Sequence, residues 1–196
     1  GGGDEAEGGE EELEPEEGGE DEDLGLEGGE DDDDEKQRQG YEFSVGAAVW
    51  PFVRQLARIE GPMVVVTSPE VADLYLASCG EVDLTVMLSD ERRKDLAAVQ
   101  SVYDALLDAN VDRSATIVSL GDSIVGDVAG FVAATYLRGL DLVHCPTDLI
   151  SMIDTSIGGK VGLDVPHGKN LIGLYKQPRA VVADVATLQT LSRRQF

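Results

Sequence analysis

Four clusters of chemically capable side chains stand out in the 196 residues. The most crowded is Asp154-Thr155-Ser156-Ile157-Gly158-Gly159-Lys160, followed by Gly168-Lys169-Asn170. Lysine holds a phosphate or carboxylate as a point charge, while Asp and Asn fix the orientation of hydroxyls. The pair of loops therefore suits an anionic, hydroxylated small molecule, with solvated surface lysines as the competing explanation. It is no P-loop, because GxxxxGK[ST] needs glycine where Asp154 stands and a hydroxyl where Val161 stands. The second cluster is LGDSIVGDVAGF at 120–131. A strand, a glycine turn and a helix N-terminus make an anion-binding corner, since free N–H groups leave the helix end. Here Gly121, Ser123, Ile124, Gly126 and Asp127 surround Asp122, and the spacing is not GxGxxG.

The third cluster is Asp90-Glu91-Arg92-Arg93-Lys94, between a strand end and a helix start. Glu91 suits a helix N-terminus, and Lys94 could reach a phosphate or hydroxyl; a charged helix cap explains the run equally simply. The fourth is Pro146-Thr147-Asp148, where a hydroxyl at a strand's carboxyl end could meet a cofactor or cap the next helix. His144 and His167 are too few and too isolated for a metal site, so both are given structural roles and no metal ligand is assigned.

These clusters need a scaffold, and the hydrophobic pattern supplies one. Strands are expected at 41–45, 63–67, 83–88, 115–120 and 140–145, helices at 50–59, 68–77, 94–109 and 124–136, and a short helix at 147–153. Ser68 is a plausible N-cap and Pro51 sits in a first turn. After 153 the period is lost until a last βα unit at 180–191. Near-continuous apolar strands alternating with helices imply an α/β fold, a Rossmann-like doubly wound and mostly parallel sheet. Ligands of such sheets bind at the carboxyl ends of the strands.

Charge is unevenly spread. The chain carries a net −24, but residues 1–35 hold 20 of its 39 Asp/Glu and no Lys/Arg. The remaining 161 residues have 19 acids against 15 bases, a net of −4. The Gly/Glu/Asp tail, residues 1–39, has too little to bury and is expected to be disordered, as a solvated linker or an acidic arm. Such acidity argues against nucleic acid and anionic membranes as partners. No apolar run approaches the roughly 18 residues needed to span a bilayer. Cys79 and Cys145 lack CxxC spacing and are expected as buried thiols in a reducing compartment.

Taken in order, DERRK, LGDSIVGDVAGFVAATYLRG, PTDLISMIDTSIGGKVGLD, HGKNLIG and QPRAVVADVATLQTL closely resemble 3-dehydroquinate synthase, of the sugar-phosphate cyclases. DTSIGGKVGLDVPHGKN is the most diagnostic run. The resemblance covers residues 41–196 and leaves out the tail. It implies an NAD-binding α/β domain over 40–191 and the start of a helical second domain at 192–196. The implied activity is an NAD- and divalent-metal-dependent (zinc or cobalt) lyase of the shikimate pathway. Such an enzyme converts 3-deoxy-D-arabino-heptulosonate 7-phosphate to 3-dehydroquinate and phosphate. The resemblance further implies a homodimer in the cytoplasm, or in a plastid if a transit peptide precedes residue 1.

Carried over by motif, Glu91, Lys94, Asp127, Thr147, Thr187 and Thr190 fall at the cofactor. Asp154, Lys160, Lys169 and Asn170 line substrate and nicotinamide, and Arg138 reaches a phosphate pocket from the partner subunit. The resemblance departs on the cofactor side: a GGG loop is Gly121-Asp122-Ser123, a threonine is Asp148, and a ribose-facing aspartate is Ser68. The family's metal ligands, one Glu and two His, would align beyond Phe196, so the chain alone is expected to be inactive. Two other readings stay open: a non-catalytic nucleotide-binding relative, and a sister cyclase.

Overall fold

The computed structural model describes Gly2, residues 40–89 and residues 93–192. The acidic tail, Glu91 and the last four residues lie outside the described residues. Six parallel strands form the main sheet: β1 (Glu42–Gly46), β2 (Met63–Thr67), β3 (Leu84–Met87), β4 (Thr116–Gly121), β5 (Asp141–Pro146) and β8 (Ala180–Asp184). Their order is β1-β8-β5-β4-β2-β3. The fold is α/β, with every residue of β2 and β8 buried, as a sheet covered on both faces requires.

Alternation within the strands divides two cores. Val64, Val66, Ile117 and Leu142 face one side, while Met63, Val65, Val118 and Val143 face the other. The first side is packed by α3 (Leu96–Asp108), through Val99, Val102 and Leu106, and by α4 (Ser123–Thr135), through Val125, Val128 and Val132. The second is packed by Trp50 and Val53, and by α2 (Pro69–Tyr75) and the turn after it, through Val71 and Cys79. Asp95 sets the start of α3 by accepting from Ala98 N–H at 2.9 Å, and Ser68 starts α2 by accepting from Val71 N–H at 3.3 Å.

Three segments differ from expectation. The helix expected at 50–59 is a 3-10 turn, Trp50–Phe52, running into a single α-turn, α1 (Val53–Leu56). Trp50 and Val53 must both be buried, and 3-10 geometry eclipses residues three apart. The short helix at 147–153 is displaced into a π-turn, Ser151–Thr155, closed by Ser156 N–H to Ser151 O at 3.1 Å. The region without period holds an antiparallel hairpin, β6 (Lys160–Val165) and β7 (Gly168–Tyr175), forming its own two-stranded sheet. Both cysteines are free and buried, and burial pushes the Cys79 thiol up to about 11. Among the described residues no helix is long and apolar enough to cross a membrane.

The strand order positions the site. From β2 the chain crosses by α2, on one face, to the edge strand β3; from β4 it crosses by α4, on the other face, to β5. The carboxyl ends of β2 and β4 therefore open where the winding reverses, the crevice such sheets use for ligands.

Candidate functional site

A cavity of about 480 Å³ fills that crevice. Ser68, Glu70 and Tyr75 come to it from the β2 side, Asp122 and Ser123 from β4, Thr147 and Asp148 from β5, and Thr190 from beyond β8. Val71, Leu74, Ile150 and Leu191 supply apolar wall. Tyr75 closes one side by hydrogen bonding the Thr190 hydroxyl.

At the mouth of α4 the local chemistry is specific. Gly121 is tightly turned: a Cβ there would come within 2.7 Å of the Val125 side chain. Asp122 is the N-cap, and its Oδ1 accepts from the N–H groups of Ile124 at 3.0 Å and Val125 at 3.1 Å. These donors are the ones a phosphate would use at a helix N-terminus, so the carboxylate holds the position of an anion. Asp148 acts likewise one strand over, accepting from Ser151 N–H at 2.9 Å and Ser151 Oγ–H at 2.6 Å. Thr147 is buried, with its N–H bound to Gly121 O at 3.0 Å, which laces the ends of β4 and β5 together.

One turn along α4, a second group assembles. Lys94 Nζ donates to Asp127 Oδ2 and to Asn170 Oδ1, both at 2.6 Å. Gly162 N–H donates to Asp127 Oδ1 at 3.2 Å. The side chains of Lys94 and Asp127 are only 16% and 13% exposed, so the pair is screened little. Lys160 and Lys169 stand exposed on the same hairpin that carries Asn170, and Asp154 is exposed on the π-turn before it. The glycines of the GGK run have a conformational task. Gly158 and Gly159 both lie at positive φ, 84° and 67°, and a Cβ on Gly159 would come within 2.9 Å of Lys176 O. Only a chain free of Cβ turns here to start β6.

The structure thus gathers Gly121, Ser123, Thr147, Asp148 and Thr190 around the cavity's end of α4, and Lys94, Asp127 and Asn170 around its second turn. Ile124 and Gly126 belong to the first turn, where Gly126 lies over His144 with about a Cβ's room to spare at 3.8 Å. Asp154, Lys160, Lys169, Thr187 and Arg138 belong to neither group. Thr187 is buried, with its hydroxyl donating to Asp184 O at 2.8 Å. Arg138 follows the far end of α4, whose 13 residues span about 20 Å. Glu91 lies outside the described residues. His144 is buried and bonded through Nδ1 to Ser119 Oγ at 2.7 Å, and burial pushes its pKa down to about 4. Sequence reasoning missed Glu70 and Tyr75. Both lie in the first turns after β2, where the doubly wound rule places ligand contacts.

Residues 84–196 match the model of the 3-dehydroquinate synthase N-terminal region. The chain belongs to the 3-dehydroquinate synthase family. It is 42% identical over 169 residues to 3-dehydroquinate synthase of Citrifermentans bemidjiense, covering 81% of this chain and 47% of that one. It is 48% identical over 137 residues to that of Halorhodospira halophila, covering 68% and 39%. The chain therefore spans less than half the length of these curated relatives. Among solved structures, a 2-deoxy-scyllo-inosose synthase shares 26% identity at a TM-score of 0.70, over 81% of this chain and 47% of that one. The 2-epi-5-epi-valiolone synthase of Streptomyces hygroscopicus subsp. jinggangensis, with NAD+ and Zn2+ bound, shares 27% at 0.72, over 80% and 46%.

Proposed function

We propose that this chain forms the NAD-binding half of a 3-dehydroquinate synthase, acting on 3-deoxy-D-arabino-heptulosonate 7-phosphate. The supporting observation is a crevice at the reversal of a doubly wound sheet, in a chain whose residues 84–196 match that family's N-terminal region. The cavity of about 480 Å³ offers both apolar and polar lining to a dinucleotide. Val71, Leu74, Ile150 and Leu191 would hold a purine, and the hydroxyls of Ser123 and Thr190 would meet ribose or phosphate oxygens. Bound there, NAD would supply a hydride acceptor for a ring carbinol and a hydride donor later in the same turnover.

The chain's own groups would bind and orient. Lys94 has three donors, of which two are held by Asp127 and Asn170, leaving one that a ligand oxygen could take. Lys160 and Lys169 would hold substrate phosphate and carboxylate as point charges, and Asp154 would accept from its hydroxyls. Arg138 would serve the neighbouring subunit of a dimer, since it lies at the other end of α4 from its own crevice. A divalent metal does not fit this part of the protein: among the described residues no three His, Cys, Asp or Glu side chains gather.

Asp122 favours a second reading, a non-catalytic relative, because its carboxylate already holds the helix N–H groups. Calorimetric titration with NAD separates the two. A micromolar Kd is expected; no heat at millimolar NAD would support the second reading.

A further inference from the structure

We propose that the Lys94–Asp127 ion pair is a latch that fixes the β6–β7 hairpin against the sheet domain, making Asp127 a positioning residue. The hairpin is not part of the main sheet. Its apolar attachment is narrow: Val161 and Leu163 are buried, whereas Leu171, Ile172 and Tyr175 of β7 are exposed. Val161 fits against α4 only because residue 130 is glycine, where a Cβ would approach Val161 Cγ2 to 2.8 Å.

The polar attachment converges on two side chains. Both oxygens of Asp127 are engaged, Oδ2 by Lys94 and Oδ1 by Gly162 N–H, so one carboxylate ties α4 to β6 and to the segment before α3. Lys94 reaches β7 through Asn170 Oδ1, and its carbonyl accepts from Asp164 N–H at 2.8 Å. Asp164 Oδ1 in turn accepts from Asn170 N–H at 2.9 Å, holding Asn170 in the left-handed region at φ 55°. Removing Lys94 leaves the Asp127 carboxylate, whose side chain is only 13% exposed, without the cation it pairs with. That the hairpin carries ligand-binding residues rests on the proposed function; the latch itself does not.

Hydrogen exchange on the full chain without nucleotide tests the latch separately from NAD binding. In Lys94→Met and in Asp127→Asn, the amides of Asp164 and Asn170 should exchange at least tenfold faster. The amides of Val118 and Val143, in β4 and β5, should keep their rates. The double variant should match the faster single variant within about twofold, because both variants lose the same Lys94–Asp127 contact. Two results would overturn the proposal: unchanged exchange in the hairpin, or the same acceleration at Val118 and Val143, which would make the pair a general stabiliser. Multiplying effects in the double variant would also refute the coupling. If one variant fails to fold, the other still decides between local and global loosening. A chain that shows the local effect but binds no NAD would leave the latch standing and overturn the proposed function.

Discussion

At Asp122, capping a helix and admitting an anion are opposed demands on the same N–H groups. An Asp cap holds Ile124 and Val125 N–H at 3.0 and 3.1 Å, where a phosphate would otherwise approach. Glycine at an N-cap is only a few tenths of a kcal/mol poorer than Asp, so Asp122→Gly should barely change stability. Its effect on an anionic ligand should be larger. Two unit charges about 4 Å apart repel by roughly 1 kcal/mol in water and about 4 at an effective dielectric of 20. Asp122 is exposed, so the lower end applies, and a gain of about fivefold in NAD affinity is expected for Asp122→Gly. Asp122→Asn divides the cause, because Asn caps as well as Asp without the charge. Equal gains in both variants, by calorimetry, would assign the effect to charge, and a gain in glycine alone to the freed donors. An unchanged Kd in both would mean the diphosphate does not pass over α4.

Among the elements, the hairpin and its entry turn decide how the lysines are presented. The two glycines of the turn are not equivalent. Gly158 and Gly159 share positive φ, but only Gly159 would bring a Cβ into backbone, at 2.9 Å from Lys176 O. A left-handed non-glycine residue costs about 1–2 kcal/mol. Gly158→Ala should therefore lose about that much, and Gly159→Ala clearly more, in urea unfolding midpoints; equal losses would contradict the geometry. The central parallel strands were legible because they are largely apolar runs, with MVVVT matched to the residue. The hairpin was not, because KVGLDV and GKNLIGLY mix Gly, Lys and Asn and leave most of β7 exposed, which reads as loop. The π-turn that carries Asp154 has no sequence signature beyond its location. Site residues could be named by type and motif, yet their direction could not. Thr187 and Thr190 differ by one 3-10 turn, and only the second faces the cavity.

The sheet separates two cores, and the imidazole of His144 lies buried on one side of it. His144 of β5 and Ser119 of β4 pair on the α4 side of the sheet, under Gly126. Burial pushes the imidazole pKa from 6.5 down to about 4, so the folded chain keeps it neutral where the unfolded chain protonates it. Between these values the unfolded state binds the extra proton, and stability rises with pH. The contribution is therefore fully present above about 6.5 and lost progressively as pH falls toward 4. Each tenfold difference in proton affinity between the two states is worth about 1.4 kcal/mol, so moving from about pH 7.5 to about pH 4.5 should remove roughly 2–3 kcal/mol through this ring. The many carboxylates of the chain also titrate there, so the comparison needs a variant that keeps the polar contact and loses the proton site. His144→Asn puts an amide where Nδ1 stood and can still meet Ser119 Oγ. Unfolding free energies from urea melts at both pH values should fall more steeply in the parent chain than in His144→Asn, by that amount. Parallel slopes would show that Ser119 and the sheet around it accommodate the imidazolium without penalty.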